Sequence, residues 1–201
     1  MAATSDPLVY LASASPRRQV LLAQLGLRWA QIPAVVDESR QPDEPPADYV
    51  RRLALAKARA GRLRCPAAQA APVVAADTTV VVAGTVLGKP VDAADAARML
   101  QLMSGCTHQV LTAVAVASPS GESVALSVSE VVFRTVGAVE AAAYWRSGEP
   151  ADKAGGYAIQ GLGAVFVQEL RGSYSGVMGL PLFETAQLLG AHGVPVLAGN
   201  R

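Results

Sequence analysis

Apolar residues along this chain recur at two periods, one suited to strands and one to helices. Leu8-Val9-Tyr10-Leu11-Ala12 is a short continuous apolar run, read as a buried first strand. Ser15 suits an N-cap and Pro16 the first helical position; Val20, Leu21, Leu22 and Leu25 then follow at helical spacing until Gly26. A second strand is expected from Trp29 to Val36, then a polar, Pro-rich loop from Pro42 to Pro46. A helix from about Ala47 to Leu63 carries Val50, Leu53 and Ala54 on its apolar stripe. Val73 to Val82 is a long apolar strand, and Ala83-Gly84-Thr85 turns the chain back into Val86-Leu87-Gly88. Asp92 can cap a helix running through Met103, with Ser104-Gly105 ending it.

Two alternating runs come next, His108 to Ala117 and Ser123 to Phe133, joined as a hairpin by Ser118-Pro119-Ser120-Gly121. Ala138 to Ser147 reads as a helix, Gly148 to Gly163 as a Gly-rich loop that something else must order, and Ala164 to Leu170 as a strand. Gly172 to Pro181 is another loop, Pro181 to Leu189 the last helix, and the tail from Gly190 is expected to be loose. Strands and helices are interspersed throughout, so the fold class is α/β. There is no internal repeat and no low-complexity tract.

Composition sets limits on this picture. The chain has 201 residues and is 51% hydrophobic, which suits one α/β domain or two closely packed lobes. No apolar run reaches the roughly 20 residues of a membrane span. Residues 1 to 6 carry neither a basic cluster nor a long apolar region, so no secretory leader is read there. A net charge of +1 argues against a broad nucleic-acid-binding surface. Cys65 and Cys106 lack ligand spacing and read as free thiols in a reducing cytoplasm. The apolar content is compatible with a homodimer. Of the basic residues 14 are Arg and only three are Lys, namely Lys57, Lys89 and Lys153, and all three stand in candidate site segments.

The chemistry begins with Asp77. An ionised carboxylate inside an apolar strand is costly, so Asp77 needs a metal, a cation or a raised pKa. Lys89 follows on the tight loop Leu87-Gly88-Lys89-Pro90. Arg17 and Arg18 lie in the first turn of a helix, where cations oppose the dipole unless an anion compensates. Lys57 is four residues beyond Leu53, hence on the inward stripe, where it snorkels or meets an anion. Asp152 and Lys153 either belong to a site or pair and order their loop. His108 begins a strand and reads as a hydrogen-bonded structural residue, His192 as idle. Tyr157 and Tyr174 either stack on a base or pack under the loops. No Gly-rich run has the Gly-Lys-Ser/Thr ending of a Walker A motif.

Seven segments in order give a resemblance. They are Leu11 to Arg18, Val36-Asp37-Glu38, Ala76 to Val80, Leu87 to Pro90, Ser104 to His108, Asp152 to Gly161, and Gly172 to Pro181. Together they resemble the Maf family of nucleoside triphosphate pyrophosphatases over nearly the whole chain. The resemblance implies a single domain over residues 1–201, with a mixed, elongated, bent sheet flanked by helices. It also implies two lobes with a central cleft, a fold similar to that of inosine triphosphate pyrophosphatases. It implies hydrolysis to the monophosphate and pyrophosphate with a divalent cation, Mg²⁺ or Mn²⁺. The subgroup acting on dTTP and UTP places Thr after the active-site Asp and Gln in an Ile-Gln-Gly segment, as Thr78 and Gln160 stand here. The 7-methyl-GTP subgroup has Gln and Glu at those places. The family's remaining specificity position falls on Arg17.

On this basis Asp77 is the expected catalytic group. Glu38 and Asp77 are the expected metal carboxylates, although the roles of Glu38 as ligand or base are exchangeable. Ser13, Arg18, Lys57 and Lys89 are expected to hold the triphosphate, and Arg17, Thr78 and Gln160 to set substrate choice. The family role is cleansing of the nucleotide pool, with a link to cell-division arrest. The competing expectations are 7-methyl-GTP as substrate and a non-catalytic nucleotide sensor.

Overall fold

A computed structural model describes residues 8–66 and 70–197. Residues 1–6, where no leader was read, and the last four residues of the tail lie outside that range. The elements in chain order are β1 (Val9–Leu11), α1 (Pro16–Gln24), β2 (Trp29–Gln31), α2 (Pro46–Arg62), β3 (Val73–Val82), β4 (Thr85–Leu87), α3 (Ala93–Met103), β5 (Thr107–Ser118), β6 (Gly121–Phe133), α4 (Ala138–Arg146), β7 (Val167–Arg171), α5 (Tyr174–Met178) and α6 (Leu182–Ala191). Three 3-10 turns lie between α4 and β7. The seven strands form a mixed sheet in the order β2-β1-β3-β5-β6-β7, with β4 paired to β3. β1 runs parallel to β2 and β3, while the β3–β4 and β6–β7 pairs are antiparallel.

The chain divides into two compact units. One comprises Met1–Asp77, Ala113–Leu126 and Gly179–Arg201; the other comprises Thr78–Thr112 and Ser127–Met178. In the first unit, β1 and the first half of β3 are buried throughout, as parallel strands covered on both faces require. α2 lies against them at Gly61. A Cβ there would come within 2.9 Å of the Ala12 Cβ and the Val73 Cγ1, so only glycine lets helix and strands approach this closely. β2 is shorter than the expected Trp29–Val36 run, because Pro33 follows the Ile32 N–H bond to the Leu11 carbonyl and can donate nothing further. His192 is not idle. Its Nδ1 lies 2.7 Å from the Ser118 hydroxyl and its Nε2 3.0 Å from that of Ser123, tying the end of α6 to the β5–β6 hairpin.

The second unit is built around Val80, Leu87, Leu100, Met103, Phe133 and Phe166, with Tyr144 and Tyr157 in the same cluster. The β3–β4 turn places Ala83 and Gly84 in the left-handed region, as a two-residue hairpin demands. β5 does not alternate as expected. It is buried from Val110 to Ala117, since it lies between β3 and β6 in mid-sheet. The expected strand from Ala164 begins with a 3-10 turn, Leu162–Phe166, and becomes β7 only at Val167. The loop read over Gly172 to Pro181 contains α5, whose start is capped by the Ser173 hydroxyl accepting from the Gly176 N–H at 2.9 Å.

One carboxylate and one phenol tie together the two ends of the Gly148–Gly163 stretch. Glu149 accepts from the Tyr144 hydroxyl at 2.6 Å and from the N–H groups of Leu162 and Gly163 at 2.9 and 3.0 Å. The Tyr144 oxygen accepts in turn from the Ala158 N–H at 3.0 Å. Burial acts to raise the Glu149 pKa, but these donors outweigh it and hold the carboxyl below its usual value. At the centre of the unit His108 is buried edge-on to Phe133 and Tyr157, with Nε2 2.8 Å from the Tyr157 hydroxyl. Tyr157 is therefore a packing residue, and Tyr174 is half-exposed.

Two outcomes follow for stability. Gly61→Val should lower stability by about 1–3 kcal/mol through overpacking, measured as a fall in the urea midpoint. Burial pushes the His108 pKa down from 6.5 to about 4. Above pH 6.5 both folded and unfolded chains hold it neutral. Below that pH the unfolded chain takes up a proton that the folded chain refuses, so stability falls as the pH drops from about 6.5 to about 4. The full effect should approach about 3 kcal/mol. Urea titrations across this window should show a shallower loss in His108→Gln than in the wild type.

Candidate active site

The two sides of the β1–α1 junction supply the first part of the site. Ser13 follows β1, and its hydroxyl accepts from the Ser15 N–H at 3.2 Å. Ser15 has N-cap backbone geometry but makes no side-chain cap, so the hydroxyl at this turn belongs to Ser13 instead. Arg17 and Arg18 occupy the first turn of α1, which holds no acidic residue. Arg18 is anchored by its Nε donating to the Gly179 carbonyl at 2.7 Å, and its guanidinium also lies 3.5 Å from the Ser13 hydroxyl. Burial lowers the Arg18 pKa. Asp77 and Glu38 oppose that fall and Arg17 adds to it. The first turn of α1, the two carboxylates and both arginines thus share one electrostatic neighbourhood.

Lys57 completes it. α2 places Tyr49, Leu53 and Lys57 at four-residue steps on one face. The ammonium lies 2.7 Å from Asp77 Oδ1 and 2.6 Å from Glu38 Oε1. The Lys57 side chain is 12% exposed and that of Asp77 11%, whereas the Glu38 side chain is 55% exposed. The cation that Asp77 was expected to need is therefore supplied by the chain itself, from the inward face of α2. The expectation of an anion beside Lys57 holds as well.

The loop that carries Glu38 is held by groups that the residue pattern had not marked. The Tyr49 hydroxyl donates to the Glu38 carbonyl at 2.9 Å. Arg52 grips the buried Glu44 carboxylate through two N–H groups at 2.5 and 2.7 Å and donates to the Ser39 carbonyl at 3.1 Å. Arg40 donates to the Glu44 carbonyl, and the Gln41 N–H donates to the Glu44 carboxylate at 3.1 Å. The Arg52 bond is the main cause holding the Glu44 pKa down to about 2. Desolvation raises the Tyr49 pKa, and Asp77 and Glu38 raise it further, which marks that phenol as a neighbour of the carboxylates. The only available sign was spacing: Tyr49 stands two helical turns before Lys57.

Asp77 is the last residue of the first unit's opening segment, and Thr78 is the first residue of the second unit. Within that unit the Thr112 hydroxyl donates to the Gly176 carbonyl at 2.7 Å and lies 3.0 Å from the Thr78 hydroxyl. Lys89 is exposed just after β4, on a loop whose Gly88 carbonyl accepts from the Gly155 N–H at 2.9 Å. Gln160 is exposed, directly after the buried run Tyr157 to Ile159. Asp152 and Lys153 bond to each other, in keeping with the reading that they order their loop. Cys65 and Cys106 are free thiols.

Glu38 and Asp77 are both hard oxygen donors and converge on one cation. Among the described residues no cluster of three or more His, Cys, Asp or Glu side chains could hold a metal. Mg²⁺ commonly uses only one or two protein carboxylates, with water and substrate phosphate completing its shell, so this pair fits such an ion.

The family described as Maf-like protein matches residues 8–192. The chain is similar to a dTTP/UTP pyrophosphatase of Saccharophagus degradans, 55% identical over 189 residues that cover 94% of this chain and 90% of that protein. A dTTP/UTP pyrophosphatase of Aromatoleum aromaticum is 50% identical over 199 residues, covering 94% of this chain and 97% of that protein. One from Alkalilimnicola ehrlichii is 53% identical over 186 residues, covering 91% and 92%. On these matches the chain belongs to the Maf-like protein family.

Proposed function

We propose that this protein hydrolyses dTTP and UTP to the monophosphate and pyrophosphate. The observation that carries the proposal is the charged cluster at Asp77, a buried carboxylate paired with Lys57 and neighboured by Arg18, in a chain whose relatives are named for this activity. The site suits a reaction in which water attacks the α-phosphorus and the bond to the bridging oxygen breaks. Asp77 takes the proton of the attacking water, and pyrophosphate leaves with the electrons of the broken bond. Arg18, Ser13 and Lys57 bind phosphate oxygens, and the first turn of α1 adds N–H donors. Glu38 and Asp77 would hold a divalent ion such as Mg²⁺ or Mn²⁺, which supplies charge neutralisation on the phosphate oxygens when bound.

Lys89 adds a phosphate contact, and Arg17, Thr78 and Gln160 set substrate choice; these roles rest on the motifs in which the residues stand. A carboxamide offers both donor and acceptor groups, which match the carbonyl and N–H on the edge of uracil or thymine. Cytosine presents the opposite polarity, so the same carboxamide orientation would not match it. Cys65 and Cys106 are free, in keeping with a reducing cytoplasm as the place of action. There the reaction would remove modified pyrimidine nucleotides before their incorporation.

A pyrophosphate-release panel over nucleoside triphosphates with Mg²⁺ or Mn²⁺ tests this reading. Turnover should be confined to dTTP and UTP, and Asp77→Asn should lower kcat by about 10²–10⁴-fold. Preference for 7-methyl-GTP would overturn the substrate assignment, and nucleotide binding without turnover would make the protein a sensor. In the double variant Thr78→Gln/Gln160→Glu, kcat/KM for UTP should fall by roughly 10²-fold or more as the uracil edge loses its partners. The same panel reads whether 7-methyl-GTP gains.

A further inference from the structure

Lys57 stands where two anions converge. Its ammonium is within 2.7 Å of Asp77 Oδ1 and within 2.6 Å of Glu38 Oε1, and it is almost wholly shielded from solvent. A divalent ion held by the same two carboxylates would compete with the ammonium for them. We propose that Lys57 is a resident counter-cation for the carboxylate pair, displaced onto the substrate's phosphates when a divalent ion takes its place. The inference rests on the nucleotide pyrophosphatase reading of this site and adds an order of events to it.

The physical case is one of charge and solvation. Asp77 is a buried carboxylate in an apolar strand, and a buried charge is costly unless it is paired, so a chain lacking both metal and nucleotide needs a positive group there. Lys57 meets that need and keeps both carboxylates aimed at one point. A metal arriving alone must evict the ammonium and leave it desolvated on the inward face of α2, beside the Arg18 guanidinium that shares this neighbourhood. Free metal is therefore held weakly. A metal arriving with a triphosphate brings new anions for the displaced ammonium, so the two ligands strengthen each other's binding. Lysine suits this exchange better than arginine, because a compact ammonium on a four-carbon stem can swing between partners.

The test measures Mn²⁺ binding directly, by electron paramagnetic resonance, on full-length wild type and Lys57→Met. Each is titrated with and without UTP carrying a non-hydrolysable α,β-methylene bridge. In the wild type the analogue should tighten Mn²⁺ binding by roughly tenfold or more. In Lys57→Met, Mn²⁺ alone should bind roughly tenfold tighter than to the wild type, and the gain from the analogue should shrink by a similar factor.

A second measurement needs no variant. With only three lysines in the chain, acetylation of Lys57 is readily followed by peptide mass spectrometry. Its rate should rise with saturating Mg²⁺ alone and fall again when the analogue is added. Unchanged or weaker Mn²⁺ binding in folded Lys57→Met, or a Lys57 acetylation rate indifferent to Mg²⁺, would overturn the proposal. Either result would mean that metal uses the other carboxylate oxygens while Lys57 stays in place. Hydrolysis of dTTP by the wild type is recorded in parallel. If it is present while the coupling is absent, only the exchange is refuted; if it is absent, the pyrophosphatase reading itself fails.

Discussion

The ion pair between Lys57 and Asp77 is the constraint around which the first unit is arranged. A carboxylate in the middle of a buried strand is among the most expensive groups a small α/β fold can contain. A buried pair rarely adds net stability over apolar residues of similar volume, so stability alone gives little reason to place one here. Its position requires α2 to lie close against β1 and β3, and Gly61 is what allows that approach at the far end of the helix. The interface between helix and strands is thus both a packing surface and the means by which an ammonium reaches a carboxylate.

Around this pair the remaining groups are held at a distance from their own flexibility. Glu38 sits on an irregular, largely exposed segment, yet its backbone is tied to Tyr49 and its loop is clamped by the Arg52–Glu44 fork. Arg18 is pinned by the Gly179 carbonyl before any ligand arrives. Preorganisation of this kind lowers the cost of ordering charged side chains when charge develops on a substrate. The second unit uses the same device in another form. The Tyr144–Glu149 hub replaces the missing apolar periodicity of a Gly-rich stretch with hydrogen bonds, leaving Gln160 exposed at the end of a buried run.

Much of the fold was legible because its elements obey simple periods and punctuation. α1, α2, α3, α4 and α6, the long strand β3 and the β5–β6 hairpin all fall close to their expected bounds. The misreadings share one cause, which is that local pattern does not report neighbours. β5 was read as alternating although its place between β3 and β6 buries both faces. α5 is only five residues long and glycine-containing, so its helical signal was too weak to separate from a loop. His192 gave no sign of its two serine partners, which are 69 and 74 residues away in sequence.

By itself the order of residues determined the alternation of strands and helices, the buried acid of β3 and the inward-facing lysine of α2. It also determined the motifs that mark the Maf-like family. These follow from spacing along one element, where helix and strand geometry dictate which side chains share a face. Only the tertiary structure decided that Lys57 meets both Asp77 and Glu38, that Ser13 rather than Ser15 serves the start of α1, and that Glu44, Tyr49 and Arg52 secure the Glu38 loop. Those partnerships join segments distant in the chain or bend an irregular loop back onto a helix. No periodicity encodes them, because they depend on how the elements pack.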